Sequence, residues 1–180
     1  MYFEKPGRIN TEKTVELALK TAHARGLKHI VVSSCSGRSA LLFKNENTLN
    51  IVCVTHVNGF SEKGKNELSE EFRAELIQNG IKVLTTTHVL SGAERGISNK
   101  FNGAYPVEII AHTLRMFGQG IKVCVEIAVM ALDSGLIPYD EPIVVVGGTG
   151  VGLDTCAILK PSHANNIFDT KISEIICKPV

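Results

Sequence analysis

The chain has 180 residues, of which 44% are hydrophobic and 21% charged, and a formal net charge of +1. That balance fits one globular domain, residues 1–180, able to bury a core without staples, and it excludes global disorder. A charge near zero leaves no footprint for a nucleic-acid partner, which needs clustered Lys and Arg.

Residues 11–25 place Val15, Ala18, Leu19 and Ala22 on one face, which predicts a helix stopped by Gly26. Residues 29–33 form a β-branched run, the first expected strand, and 37–45 are read as a second helix. The second strand is expected over 50–55. Residues 67–79 repeat Leu68, Phe72 and Leu76 at four-residue spacing, an amphipathic helix ended by Gly80. The third strand is expected over 81–86, followed by a Gly- and Ser-bearing stretch from 91 to 103. Pro106 suits a first helical position and opens a helix over 107–117, with Gly118 and Gly120 as breakers. Residues 121–134 are almost entirely apolar and predict a helix buried between other elements. The fourth and fifth strands are expected over 142–146 and 155–159, with a short terminal strand over 173–177. Short apolar strands alternating with helices predict an α/β domain, with a mostly parallel sheet covered on both faces.

The five cysteines are odd in number and show no CxxC, so no disulfide framework is expected and a reducing cytoplasm is the default. The first ten residues carry no apolar signal core, and Glu126 and Asp133 interrupt the best candidate for a membrane helix. Cys53 and Cys124 lie in apolar runs as small core residues. Cys35 instead lies in a polar, Ser-rich loop, either as a working thiol or as an incidental one.

In an open parallel sheet the ligand crevice lies outside the carboxyl ends of the strands. All of the first four expected strands end in hydroxyl residues. After the first come Ser33, Ser34, Cys35, Ser36, Gly37, Arg38 and Ser39. Backbone amides at a helix start, serine hydroxyls and an arginine together suit a phosphate; the alternative is that a serine simply caps the helix. After the fourth come Gly147, Gly148, Thr149 and Gly150, then Val151 and Gly152, either a wall for close approach of a ligand or a structural turn. This run is neither a Walker motif nor Gly-x-Gly-x-x-Gly. Thr55 and His56 end the second strand, and Thr87 and His88 follow the third. Two Thr-His-Val triplets thus lie 32 positions apart, read as equivalent points of successive units. The two histidines serve either a ligand or structural hydrogen bonds. No metal is expected, because no Asp, Glu or Cys falls beside either with ligand spacing. Glu126 is either paired with Lys122 or a buried acid facing the site. Residues 91–96 are either a lid whose Arg95 meets an anion or a solvated loop.

Ser34-Cys35-Ser36-Gly37-Arg38-Ser39-Ala40 resembles the Ser-Gly-Arg-Ser-Ala loop of the pyruvate kinase C-terminal domain. Glu141-Pro142-Ile143-Val144-Val145-Val146-Gly147-Gly148 is similar to that domain's final Val-rich strand and glycine loop. This likeness covers residues 12–60 and 122–160. The whole chain resembles the stand-alone prokaryotic proteins grouped with that domain, through Thr55-His56-Val57, Gly59-Phe60, Ser91-Gly92-Ala93-Glu94-Arg95-Gly96, Phe117-Gly118-Gln119-Gly120 and Gly147-Gly148-Thr149-Gly150. The resemblance implies a three-layer α/β/α sandwich with a five-stranded sheet of order 3-2-1-4-5, strand five antiparallel. It implies no pyruvate kinase activity, since the catalytic barrel is absent from these residues. In pyruvate kinase the matching loop binds a phosphate of a sugar-phosphate effector, and the stand-alone group is associated with flavin mononucleotide (FMN). The resemblance therefore implies a phosphorylated small molecule, FMN first, on Ser33, Ser34, Ser36, Gly37, Arg38 and Ser39, with Thr55, His56, Thr87, His88 and the loop at Gly147, Gly148, Thr149 and Gly150 around the rest of it. The alternatives are a flavin-dependent oxidoreductase with His56, His88 or Glu126 as proton donor, and a module sensing a sugar phosphate. The apolar stretch 121–132 admits a second copy of the chain as partner.

Overall fold

The computed structural model describes residues 1–180. Strands β1 (Tyr2–Phe3), β2 (His29–Ser33), β3 (Asn50–Val54), β4 (Lys82–Leu84), β5 (Ile143–Gly147), β6 (Thr155–Lys160) and β7 (Lys171–Pro179) form one sheet of order β1-β7-β6-β5-β2-β3-β4. The helices are α1 (Thr11–Arg25), α2 (Glu70–Gln78), α3 (Gly92–Phe101), α4 (Pro106–Arg115) and α5 (Gln119–Asp133). The five expected strands are β2 to β6, and they stand in the expected order. β6 runs antiparallel to both of its neighbours, while all other pairings are parallel.

Strand alternation divides the core between two faces. Ile30 and Val32 of β2, Ile51 and Cys53 of β3, and Val144 and Val146 of β5 pack on Val15, Ala18 and Ala22 of α1 and on Leu76 of α2. Val31, Val52, Val54 and Val145 face the other way, onto Ile121, Cys124, Val125 and Ala128 of α5. Each such side chain contributes about 1.5–3 kcal/mol when fully buried. The result is the three-layer sandwich. Helix α5 is buried from Gly120 to Leu132 except at Val123, between the sheet and α4. It has no free face for a second copy of the chain. No helix is long and apolar enough to cross a membrane.

Four elements depart from the sequence expectation. The sheet has seven strands rather than five, because β7 is longer than expected and recruits Tyr2 and Phe3 as β1. The helix expected over 37–45 is a single 3-10 turn, Ala40–Phe43. Its bonds step three residues, Leu42 N–H to Ser39 O and Lys44 N–H to Leu41 O, and Phe43 anchors it in the core. The loop expected from 91 is α3. Its glycines oppose a helix by about 1 kcal/mol each, but Glu94 accepts the Glu108 N–H at 3.1 Å and Arg95 meets Glu108 at 3.2 Å, tying α3 to the start of α4. Arg95 is thus ion-paired, in a helix rather than in a lid or a solvated loop. Finally, α2 starts at Glu70, where Ser69 caps it by accepting the Phe72 N–H at 3.3 Å.

Candidate functional site

Val32 pairs with Val146, so the chain leaves β2 and β5 side by side at the same edge. β2 continues to β3 on one side, and β5 has β6 on the other. The loops after Ser33 and after Gly147 therefore flank a topological switch point, where open α/β sheets bind ligands.

The first loop turns at Gly37, whose φ of +83° favours glycine. A Cβ there would also lie 2.8 Å from Leu68 Cδ1, so the backbone is pressed against the residues that lead into α2. The amides of Ser36, Gly37, Arg38 and Ser39 donate to no protein acceptor. Because only a 3-10 turn follows, this donor group belongs to the loop itself and not to a helix start, which corrects the expected helix-end site. Ser33, Ser36 and Ser39 are half-buried and Ser34 is buried, and Ser33 to Ser39 use no hydroxyl in a protein hydrogen bond. The expected capping role is absent, since the 3-10 turn has no side-chain cap. Arg38 is exposed, forms no ion pair, and holds its guanidinium over Phe72 at 5.8 Å.

The second loop is drawn inward. Buried Asp154 accepts the Gly7 N–H at 2.8 Å, the Thr149 N–H at 3.1 Å and the Thr155 hydroxyl at 2.8 Å. This one carboxylate ties the glycine loop to the segment that precedes α1. A Cβ at Gly148 would lie 2.0 Å from Gly152 O, and one at Gly152 would lie 2.6 Å from Arg8 Cα. Both glycines are needed for close chain packing. Gly150 is exposed at the tip of the loop.

The strand-end threonines and histidines divide differently from the sequence reading. β3 and β4 pair with an offset of 30 positions, Val54 with Leu84, so Thr55 meets Thr85 at 2.7 Å rather than Thr87. The two Thr-His-Val triplets are therefore two residues out of register, and the expected equivalence fails. The Thr55 hydroxyl also lies 2.9 Å from His56 O, and Arg73 donates to Thr85 at 3.1 Å, so Thr55 is engaged within the protein. Thr87 is exposed. His88 Nε2 accepts the Val57 N–H at 3.3 Å. Burial holds the His88 pKa below its ordinary value, against the Glu126 charge and with help from His56.

His56 is the centre of the edge. Its Nε2 lies 3.2 Å from Cys35 Sγ and its Nδ1 lies 2.5 Å from Glu67 Oε2. Phe60 stacks on the ring at 3.8 Å between centroids, and His88 lies at 5.5 Å. No Asp, Glu or Cys falls beside either histidine with ligand spacing in the sequence, but the fold brings the ligand-type atoms of Cys35, His56 and Glu67 within 4.8 Å of one another. Burial, with the Glu67 charge, raises the Cys35 thiol to about 11. For Glu67 burial acts upward, but hydrogen bonds from His56 and Ser61 and the His56 charge pull its pKa below the ordinary value. The sequence reading missed Glu67, Phe60 and Asp154. Glu67 looked like the first residue of an amphipathic helix, and nothing local distinguishes a loop carboxylate that folds back on a strand end. Of the two alternatives for Glu126, the structure shows the pairing with Lys122. The residue is buried, and it accepts the Leu90 N–H at 3.0 Å.

The α/β architecture agrees with the comparison with known families. The family described as pyruvate kinase, alpha/beta domain, matches residues 12–159, which span α1 through nearly all of β6. The chain therefore belongs to the pyruvate kinase alpha/beta domain family.

Proposed function

We propose that the protein binds a phosphorylated small molecule at the edge where β2 and β5 end, with FMN as the leading ligand. The observation that carries this reading is the run of four unpaired amides from Ser36 to Ser39, beside an arginine with no acidic partner and serines whose hydroxyls are unused. Consecutive free amides favour an anion with several acceptor oxygens, and Arg38 adds a charge-assisted, bidentate partner. Ser33, Ser34, Ser36, Gly37, Arg38 and Ser39 would hold the phosphate. His56, His88 and exposed Thr87 would lie toward the rest of the ligand, with Gly150 on the opposite wall. FMN would bring electron-transfer chemistry with it. Five free cysteines suit a reducing, cytoplasmic setting.

An Arg–phosphate contact is worth about 1.5–3 kcal/mol, so Arg38→Ala should weaken FMN binding about 10- to 100-fold in a fluorescence titration. Equal affinity of the variant and the parent would remove the loop as the phosphate site. Thermal shifts separate the ligand classes, since the tighter ligand raises Tm more. FMN should outrank sugar phosphates, and the reverse ranking would make the protein a sugar-phosphate sensor.

A further inference from the structure

We propose that Cys35, His56 and Glu67 form a nucleophile–base–acid triad for acyl transfer, acting on esters of small carboxylic acids. The two short contacts fall on opposite nitrogens of one imidazole, Cys35 on Nε2 at 3.2 Å and Glu67 on Nδ1 at 2.5 Å. A carboxylate only accepts, so Nδ1 carries the proton and Nε2, within 3.2 Å of the thiol, is the nitrogen left to take a proton. A nucleophile in reach of a base that a third group orients is the arrangement covalent catalysis needs. A metal held by all three residues is the competing occupant, since their ligand-type atoms lie within 4.8 Å of one another, and zinc uptake is the outcome that would show it. Phe60 stacked on the imidazole further fixes the ring. The raised thiol pKa means that Cys35 rests as a neutral thiol, so attack requires its proton to be removed in the same step. The free amides of Ser36 and Gly37 follow Cys35 directly and are donors suited to a carbonyl oxygen that gains charge.

The chemistry balances without a further reactant except water. Cys35 Sγ bonds to the ester carbonyl carbon as its proton passes to His56 Nε2. The carbon–oxygen bond to the leaving alcohol breaks, and His56 returns the proton to that oxygen, leaving a thioester on Cys35. Water, deprotonated by the same nitrogen, attacks the thioester; the acid departs and the thiol regains its proton. Glu67 touches no reacting atom and is a positioning residue. This inference does not rest on the phosphate reading, since it is tested on protein with no ligand added.

The probe is p-nitrophenyl acetate, with peptide mapping for the acetyl group and absorbance for the released phenol. The other four cysteines are fully buried, so Cys35 should be the one thiol labelled in folded protein. Its acetylation at neutral pH should exceed that of free N-acetylcysteine. His56→Asn should slow labelling about 100-fold. Glu67→Gln should slow it by a smaller factor, Glu67→Asp should restore part of the rate, and His56→Asn with Glu67→Gln should be no slower than His56→Asn alone, because Glu67 acts only through His56. In each variant the four buried thiols must stay unlabelled, which certifies the fold. Labelling of Cys35 no faster than the free thiol, or unaffected by His56→Asn, would overturn the triad. So would uptake of one Zn²⁺ per chain that Cys35→Ser abolishes, in protein that p-nitrophenyl acetate leaves unmodified.

Discussion

Gly120 occupies the second position of α5, directly over β6. A Cβ added there would lie 2.0 Å from Thr155 Oγ1 and 2.4 Å from Thr155 Cβ. Thr155 cannot yield, because it is buried and its hydroxyl is bonded to Asp154 at 2.8 Å. Gly120→Ala should therefore cost about 1–3 kcal/mol by overpacking, although alanine is the better helix former. The urea midpoint checks this, and an unchanged or raised midpoint would mean that α5 can lift away from the sheet. From sequence, Gly120 reads as a helix breaker together with Gly118. Gly118 does precede the helix, with a φ of +122°, but Gly120 lies inside it for want of space rather than for backbone freedom. A sequence displays the absence of a side chain but not the neighbour that demands it. Asp154 was passed over for a similar reason, since its three donors come from residues 7, 149 and 155.

At the scale of elements, α5 carries a charge pair in an otherwise apolar helix. Lys122 and Glu126 are 6% and 5% exposed, one turn apart, and the carboxylate also holds the Leu90 N–H. Burial lowers the Lys122 pKa, and the Glu126 charge opposes that shift. Lys122→Met removes the compensating cation and leaves a buried carboxylate with one amide donor, which should cost about 3–5 kcal/mol. The double variant Lys122→Met with Glu126→Gln should recover most of it, since a neutral amide oxygen can still accept from Leu90. Calorimetric Tm values read both, and a single variant as stable as the parent would show that water reaches the pair. Strand register explains which parts of the site were legible. β2 and β3 pair with an offset of 21 positions, and the same offset brings Asn50 to His29 and His56 to Cys35. Two adjacent parallel strands ending in Ser-Cys and Thr-His thus hold that contact in their sequence. The Thr-His-Val echo misled because the next register, at 30 positions, differs from the spacing of the repeat. Helix α3 was illegible locally, since its glycines argue for a loop and its ties run to α4.

Across the whole molecule, four thiols are sealed in the interior. Burial pushes Cys53 up to about 12 and raises Cys124, Cys156 and Cys177 above the ordinary 9.0. The folded state therefore keeps these protons to higher pH than the unfolded chain does. Above pH 9.0 the unfolded state binds fewer protons, so stability must fall as pH rises, by up to about 1.4 kcal/mol per pH unit for each thiol until its folded pKa is reached. Urea midpoints on either side of pH 9.0 should show the decline, and Cys53→Val, a swap that suits β3, should make it shallower. A flat profile through that range would mean that the thiols ionise in place. The central strands were legible as short apolar runs between helices, while their order came from the resemblance to the pyruvate kinase C-terminal domain; the widening by β1 was not legible, because two residues make no pattern. The offset of 21 has one more consequence. The Cys35–His56 contact is fixed by the ladder between β2 and β3, not by the crossover joining them. Residues gained or lost between Phe43 and Asn50 would lengthen or shorten only the outer path and leave the thiol and the imidazole together. A single residue inserted within either strand would slide them apart, so relatives of this chain can be sorted by where their insertions and deletions fall.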